Sequence, residues 1–230
     1  MLDFNIKVLE TCASTNDDLK SYIHKDEGFV VQALTQTKGR GRQGREWVAA
    51  EGNLYLSLLL KPESQSAYLG QIALLLGLAV SNALDEIDVN GSHLKWPNDV
   101  LIEGQKVCGI LIEVEQGTLI CGIGVNISQS TIEGSTNLHA YNAQIERDYF
   151  RDILFEEINV LYAHWQLHGF EAIRKSWLEK AWQLGKMISI HQQNTKISGI
   201  FKTLDNTGRI VLEDSDGDIH KIQTGDVFKT

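Results

Sequence analysis

Asn53 to Leu60 reads Asn-Leu-Tyr-Leu-Ser-Leu-Leu-Leu, a strand-length run apolar enough to be buried on both faces. Soon after it, Ala67 to Ile87 holds the longest apolar stretch of the chain, Ile72 to Val80, interrupted by Gly77. That stretch is too short to cross a bilayer, which takes about 20 residues, and it reads as the middle of a buried helix. A sheet and a helix this apolar need cover, and the chain has the material. Of 230 residues, 43% are hydrophobic and 22% charged, with only 2 prolines, an ordinary globular mixture that excludes disorder. A chain of this length buries a sizeable core and divides into one large and one small domain.

The first ten residues carry charges where an export signal needs an apolar core, so the expected location is cytoplasmic, with no membrane contact. Cys12, Cys108 and Cys121 are an odd number at wide spacings. They give no disulfide framework and no zinc pattern, and read as buried apolar side chains in a reducing compartment. Lys and Arg number 21 against 30 Asp and Glu, a formal charge of -9. That balance argues against a protein that coats nucleic acid by bulk charge, and leaves room for a small local basic site.

Along the chain, Phe4 to Glu10 alternates as a strand, and Ser14-Thr-Asn-Asp-Asp18 offers side-chain oxygens to a helix start. Gly28 to Thr35 is a short β-rich run. Leu94 to Ile102 reads as one strand carrying Lys95-Trp-Pro-Asn-Asp99. Gln105 to Val114 and Thr118 to Asn126 form a hairpin turning at Glu115-Gln-Gly117. Ile145 to Trp165 and Gly169 to Trp182 are amphipathic helices. Beyond Gly185 only short β runs remain, at Met187–His191, Lys196–Leu204, Arg209–Leu212, Ile219–Ile222 and Val227–Lys229. The expected fold class is α+β: a mixed-sheet domain over residues 1–185 and a small β-barrel over 186–230.

Thr37-Lys-Gly-Arg-Gly-Arg-Gln-Gly-Arg45 is the most informative stretch. Lys38, Arg40, Arg42 and Arg45 crowd into a short loop of an acidic chain. Gly39, Gly41 and Gly44 match G-x-G-x-x-G, but the chain runs on into Trp47 and a strand, not the helix that a dinucleotide fold requires. Kinase and Walker A motifs are missing. The loop's chemistry survives those labels. Glycines let backbone N–H groups approach an anion, and guanidinium forks hold phosphate or carboxylate. A solvated basic loop, or a nucleic-acid contact, is the plainer alternative. Trp47 either stacks on a purine or is an ordinary core or surface residue.

In Lys95-Trp-Pro-Asn-Asp99, Pro97 removes a ladder donor, so the strand must end or bulge there. Asn98 and Asp99 then lie at a strand end. They form a plain turn, or Asp99 holds Mg²⁺ beside a phosphate. Lys106, on the next apolar strand, faces either solvent or a pocket, where it would be a cationic clamp.

Taken in order, Ser14-Thr-Asn16, Gln36, Gly39 to Arg45 with Trp47, Lys95-Trp-Pro-Asn-Asp99, Lys106-Val-Cys-Gly-Ile-Leu-Ile-Glu113 and Gly122-Ile-Gly-Val-Asn126 closely resemble the motifs of biotin protein ligases. The resemblance covers nearly the whole chain. It implies a biotin/lipoate ligase type of catalytic domain followed by an SH3-like C-terminal domain. Many bacterial members begin with a DNA-binding helix-turn-helix domain. Here the Ser-Thr-Asn motif starts at residue 14, so the resemblance implies a monofunctional ligase with no DNA partner. Gln43 departs from the family, where Arg is common, and one cation fewer should weaken phosphate attraction slightly.

The resemblance further implies the reaction. Biotin and ATP form biotinyl-5'-AMP and pyrophosphate, and a lysine of a carrier protein then displaces AMP. The default carrier is the biotin carboxyl carrier protein of acetyl-CoA carboxylase, and the enzyme is a monomer or a homodimer. By match of motif, Ser14, Thr15, Asn16, Gln36, Gly39, Arg40, Gly41, Arg42, Lys106 and Gly109 are the biotin-binding candidates. Arg42, Arg45, Trp47, Lys95, Asn98 and Asn126 are the ATP-binding candidates. Arg42, Lys106 and Asp99 carry the catalysis, with Asp99 as the Mg²⁺ ligand or as the base for the attacking lysine. Two rivals remain at this level: a lipoate ligase or lipoyl transferase of shared fold, and a nucleic-acid module built on the basic loop. The acids Asp205, Glu213, Asp214, Asp216, Asp218 and Asp226 weigh against the second. Asp214-x-Asp216-x-Asp218 lacks the Gly and Glu positions of a calcium loop and reads as a hairpin turn. His164 and His168, one helical turn apart, read as surface residues.

Overall fold

A computed structural model describes residues 1–62, 69–130, 132–141, 143–192 and 195–230. Strand β1 (Asn5–Cys12), helix α1 (Thr15–Lys20) and strand β2 (Phe29–Gln36) open the chain as a parallel β-α-β unit. Strand β3 (Leu54–Leu60) follows antiparallel to β2, and every one of its residues is buried, as its largely apolar run requires. Helix α2 (Leu69–Glu86) buries Ile72 to Val80 except for the half-buried Ala73; Ala67 and Tyr68, expected in this helix, lie outside the described residues.

Next come β4 (Ser92–Lys95), β5 (Asp99–Ile102), β6 (Gln105–Glu115) and β7 (Thr118–Val125), all antiparallel to their neighbours. The single strand expected over Leu94–Ile102 is therefore a hairpin. Lys95 pairs with Asp99, and Trp96, Pro97 and Asn98 make the turn. A proline has no N–H for a ladder and a fixed φ, so the chain reverses at Pro97. The complete sheet runs β1-β2-β3-β7-β6-β5-β4. At the β6–β7 turn, Gln116 and Gly117 both have positive φ (46° and 77°), the conformation a tight two-residue hairpin demands.

The two faces of the sheet are covered separately, because strand side chains alternate. Val30, Leu56 and Leu58 join the large core beneath α2, α3 (Arg147–His168) and α4 (Phe170–Glu179). Phe29, Val31, Leu59 and Ile120 point the other way and bury Leu19 of α1. His164 and His168 lie exposed on α3, as their spacing suggested. All three cysteines are free and buried.

The C-terminal strands β8 (Met187–Gln192), β9 (Thr195–Leu204), β10 (Ile210–Glu213), β11 (Ile219–Ile222) and β12 (Asp226–Lys229) follow the expected β runs closely. They pair antiparallel in the order β11-β10-β9-β8-β12. That order is an open five-stranded sheet; among the described residues no pairing joins β11 to β12 to close the expected barrel. The Asp214–Asp218 turn is built by the Asp214 carboxylate, whose Oδ1 accepts the N–H groups of Asp216 and Asp218 at 3.0 and 2.9 Å. Ile188, Ile190, Phe201 and Leu212 belong to the same apolar cluster as the large sheet. Polar ties reinforce the join: the buried Trp96 indole donates to Gly208 O at 3.0 Å, and Gln71 Nε2 to Asn206 O at 2.7 Å.

Candidate functional site

The open face of the large sheet is bared by three glycines. Gly122 and Gly124 alternate on β7 and so share a face, and Gly109 of β6 stands opposite Gly124 in register. A Cβ on Gly122 would lie 2.4 Å from Asn16 Oδ1, and one on Gly124 2.9 Å from the Trp47 ring. A Cβ on Gly109 would meet the same indole at 2.8 Å. These positions admit no side chain because other groups lie flat on the sheet. Above them opens a cavity of about 660 Å³ that takes in nearly all the expected site residues.

At one end of the cavity is a buried polar cluster. Ser14, Thr15 and Asn16 begin α1, each less than 5% exposed. Their helix start differs from expectation, since no side chain caps it. The Thr15 N–H instead donates to Gln36 Oε1 at 2.8 Å, and Thr15 Oγ1 lies 3.2 Å from the same oxygen. Ser57 of β3 donates to Asn16 Oδ1 at 2.6 Å and sits 2.8 Å from Thr15 Oγ1. Ser57 escaped the sequence reading; its signal was one hydroxyl inside an otherwise apolar strand, which must find partners when buried.

The glycine–arginine loop crosses the mouth. Arg40 and Glu46 form a bridge at its base, and a short helical turn over Arg42–Gly44 makes its tip. There Gln43 and Gly44 have φ of 57° and 73°. Trp47 returns beneath, its N–H donating to Gly39 O at 2.9 Å. Its indole lies on the Gly109–Gly124 pair, with Lys106 Nζ 5.2 Å from the ring centre, and the buried Nε1 has no hydrogen-bond partner among the described residues.

The cations of the site have different partners. Lys106 faces the cavity, with its Nζ 2.6 Å from Asp99 Oδ1. Arg42 donates to Asn98 Oδ1 at 3.1 Å and, across to the second sheet, to Thr224 Oγ1 at 3.0 Å and Gly225 O at 3.3 Å. Those partners are neutral, and burial lowers the Arg42 pKa despite the nearby Asp226 and Asp99 charges. Arg45, largely exposed, pairs with Asp226. Lys95 lies 5.3 Å from the Trp182 ring and 5.9 Å from that of Phe228, and burial lowers its pKa. Arg40 faces Asp17 and Glu113 instead. Asn98 also donates to Ile110 O at 2.6 Å, and Asn126 to Thr136 O at 3.1 Å, which fixes both strand ends. Gly39 approaches Trp47 too closely for a side chain, and Gly41 donates its N–H to Arg45 O at 2.7 Å. Asp17, Glu113 and Asp226 carry no site role in the sequence reading, since nothing local shows which cation each will meet.

The loop lies between two strands, β2 and β3, and is followed by a strand and not by the helix of a dinucleotide fold. A cationic loop folded over a glycine-bared sheet, with buried amide and hydroxyl groups at one end, suits a ligand with a polar head and an anionic tail, and the family matches give the class, that of the biotin and lipoate ligases. The model for the Biotin/lipoate A/B protein ligase family matches residues 8–130, and that for the Biotin protein ligase C terminal domain matches 184–230. The chain belongs to the biotin/lipoate A/B protein ligase family, in its biotin protein ligase branch. It is 32% identical over 198 residues to a biotin--[acetyl-CoA-carboxylase] ligase of Paracoccus denitrificans, covering 79% of this chain and 82% of that one. It is 31% identical over 215 residues to the bifunctional ligase/repressor BirA of Bacillus subtilis, covering 87% of this chain and 66% of the relative. The biotin protein ligase of Aquifex aeolicus, solved with biotin and ATP, superposes with a TM-score of 0.89 at 33% identity, covering 97% of each chain. No helix among the described residues is long and apolar enough to cross a membrane.

Proposed function

We propose that the chain joins biotin to ATP as biotinyl-5'-AMP, releasing pyrophosphate, and passes the biotinyl group to a carrier-protein lysine, releasing AMP. The biotin carboxyl carrier protein of acetyl-CoA carboxylase is the proposed carrier. The single observation behind this reading is one cavity that joins a buried Ser14–Thr15–Asn16–Gln36 cluster to Lys106, Asp99 and Arg42.

The chemistry follows from what each end offers. The biotin head carries urea N–H and C=O groups, which need paired acceptors and donors in a closed pocket. The cluster at Ser14, Thr15, Asn16 and Gln36 supplies both kinds, whereas the dithiolane of lipoate would leave them unpaired. The acid tail is then proposed to lead from this cluster toward Lys106, which lines the same cavity. Bringing a carboxylate to a triphosphate puts two anions together, and cations must offset their repulsion. Arg42 and Lys106 are positioned for this, with Lys95 and Arg45 farther along the wall. Trp47 is the proposed neighbour of the adenine ring, with Asn98 and Asn126 holding the strand ends beside it.

Mg²⁺, where bound, shares the phosphate charge. Mg²⁺ is usually held by one or two carboxylates plus the phosphates themselves. Asp99, a single carboxylate on the cavity wall, fits that pattern and is the proposed ligand. Asp99 is also the proposed acceptor of the proton that the carrier lysine must lose before it attacks. The two domains are proposed to divide at about residue 185, just before β8 begins.

Biotin-dependent exchange of labelled pyrophosphate into ATP tests the reading. Exchange with biotin and none with lipoate is the expected result. Exchange with lipoate alone would reassign the substrate. No exchange with either, accompanied by salt-sensitive oligonucleotide binding, would overturn the ligase reading.

A further inference from the structure

Arg40 is the loop cation with the strongest acidic company. Its guanidinium donates to both oxygens of Asp17, with Nη2 to Oδ1 at 2.8 Å. It also donates to both oxygens of Glu113, at 3.0 and 2.8 Å. Lys20 closes the group, 2.9 Å from Asp17 and 3.9 Å from Glu113. Two carboxylates and two cations neutralise one another there. The Asp17 carboxyl is pulled down to about 2 by its bond to Arg40. This cluster has no spare positive charge for a phosphate.

The three anchors belong to different elements. Asp17 is on α1, Glu113 on β6, and Arg40 at the base of the loop, where it bridges to Glu46. Glu113 has a second role. Its Oε2 accepts from Asn16 Nδ2 at 2.7 Å, and Asn16 in turn accepts from Ser57. One carboxylate therefore touches both the head-group cluster and the root of the loop.

We propose that Asp17 and Glu113 are positioning residues, which act through Arg40 to seat the loop over the cavity and tie that seating to the head-group pocket. Arg40 then serves as the loop's anchor, while Arg42 and Lys106 meet the anions. The proposal rests on the ligase reading for its effect on the intermediate, but the anchor itself can be tested without that reading.

The test uses the full chain with Glu113→Gln, Asp17→Asn, Arg40→Gln and the double variant Arg40→Gln/Glu113→Gln. Each is checked for folding by its thermal midpoint. Preformed biotinyl-AMP should leave Glu113→Gln about tenfold faster than the parent, with KM for ATP nearly unchanged. The double variant should lose it no faster than Arg40→Gln alone, because Arg40→Gln already removes the guanidinium that Glu113 holds. Asp17→Glu, which keeps the charge, should largely restore retention. Additive losses, a raised KM for ATP in Arg40→Gln alone, or parent-like retention in Glu113→Gln would each overturn the proposal. Trypsin cleavage after the loop arginines, in protein without ligand, gives an independent reading. Faster cleavage in Glu113→Gln and Asp17→Asn supports the anchor even if the parent shows no pyrophosphate exchange, an outcome that would sink only the ligase reading. Unchanged cleavage would remove the anchor while leaving the ligase reading intact.

Discussion

Lys106 is a strand residue whose direction only the fold reveals. Its ammonium lies against Asp99 on the cavity wall, where it is proposed to meet the biotin carboxylate. Lys106→Ala should cut biotin-dependent pyrophosphate exchange by about 10²-fold or more, measured at saturating ATP. Gly122 makes a steric prediction. With Asn16 Oδ1 only 2.4 Å from where a Cβ would stand, Gly122→Ala must displace Asn16 from Ser57. Weaker biotin binding by about 1–3 kcal/mol in calorimetry is expected. Asp17 predicts a pH dependence. Its folded pKa, about 2, lies below the ordinary 3.8, so its pairing stabilises the fold above about pH 4 and fades as pH falls toward 2. The thermal midpoints of the parent and Asp17→Asn should therefore converge across that window. The exposed half of the side chain keeps the effect small. Gln43, where the family commonly has Arg, stands at the loop tip in a left-handed turn, exposed and away from the sheet.

At the scale of elements, the loop from Thr37 to Glu46 is the part proposed to close over the ligand. It is short of buried apolar contacts, and its tip is held by side-chain bonds to the second sheet, at Thr224, Gly225 and Asp226. An acyl-adenylate hydrolyses when water reaches it, so a loop closed over the site keeps the intermediate for the carrier. Arg42→Gly removes the bonds to Asn98, Thr224 and Gly225 and should speed loss of biotinyl-AMP into solution by about tenfold or more, followed with labelled biotin after rapid gel filtration. Retention equal to the parent's would remove the loop from that role. The loop, the strands and the helices were legible because each carries its own signal: glycine and arginine spacing, period-two alternation, helical amphipathy. Leu94–Ile102 reads as one strand that ends or bulges at Pro97, and the structure makes that break a full reversal, the β4–β5 hairpin.

For the molecule as a whole, the two sheets share one apolar cluster, and buried polar ties stitch them together. Trp96→Phe would leave Gly208 O buried without its donor and should lower stability by about 1–3 kcal/mol, read as a single, earlier thermal transition. Two separate transitions would mean that the sheets unfold independently. The amino-acid sequence alone determined the elements, the ordered motifs and the family resemblance, because these depend on residue type and on spacing along the chain. Only the tertiary structure decided that Lys106 faces the cavity, that Ser57 completes the head-group cluster, and that Asp17 and Glu113 hold Arg40. Each of these joins residues far apart in sequence, and such partners become neighbours only when strand register and helix packing fix where side chains point.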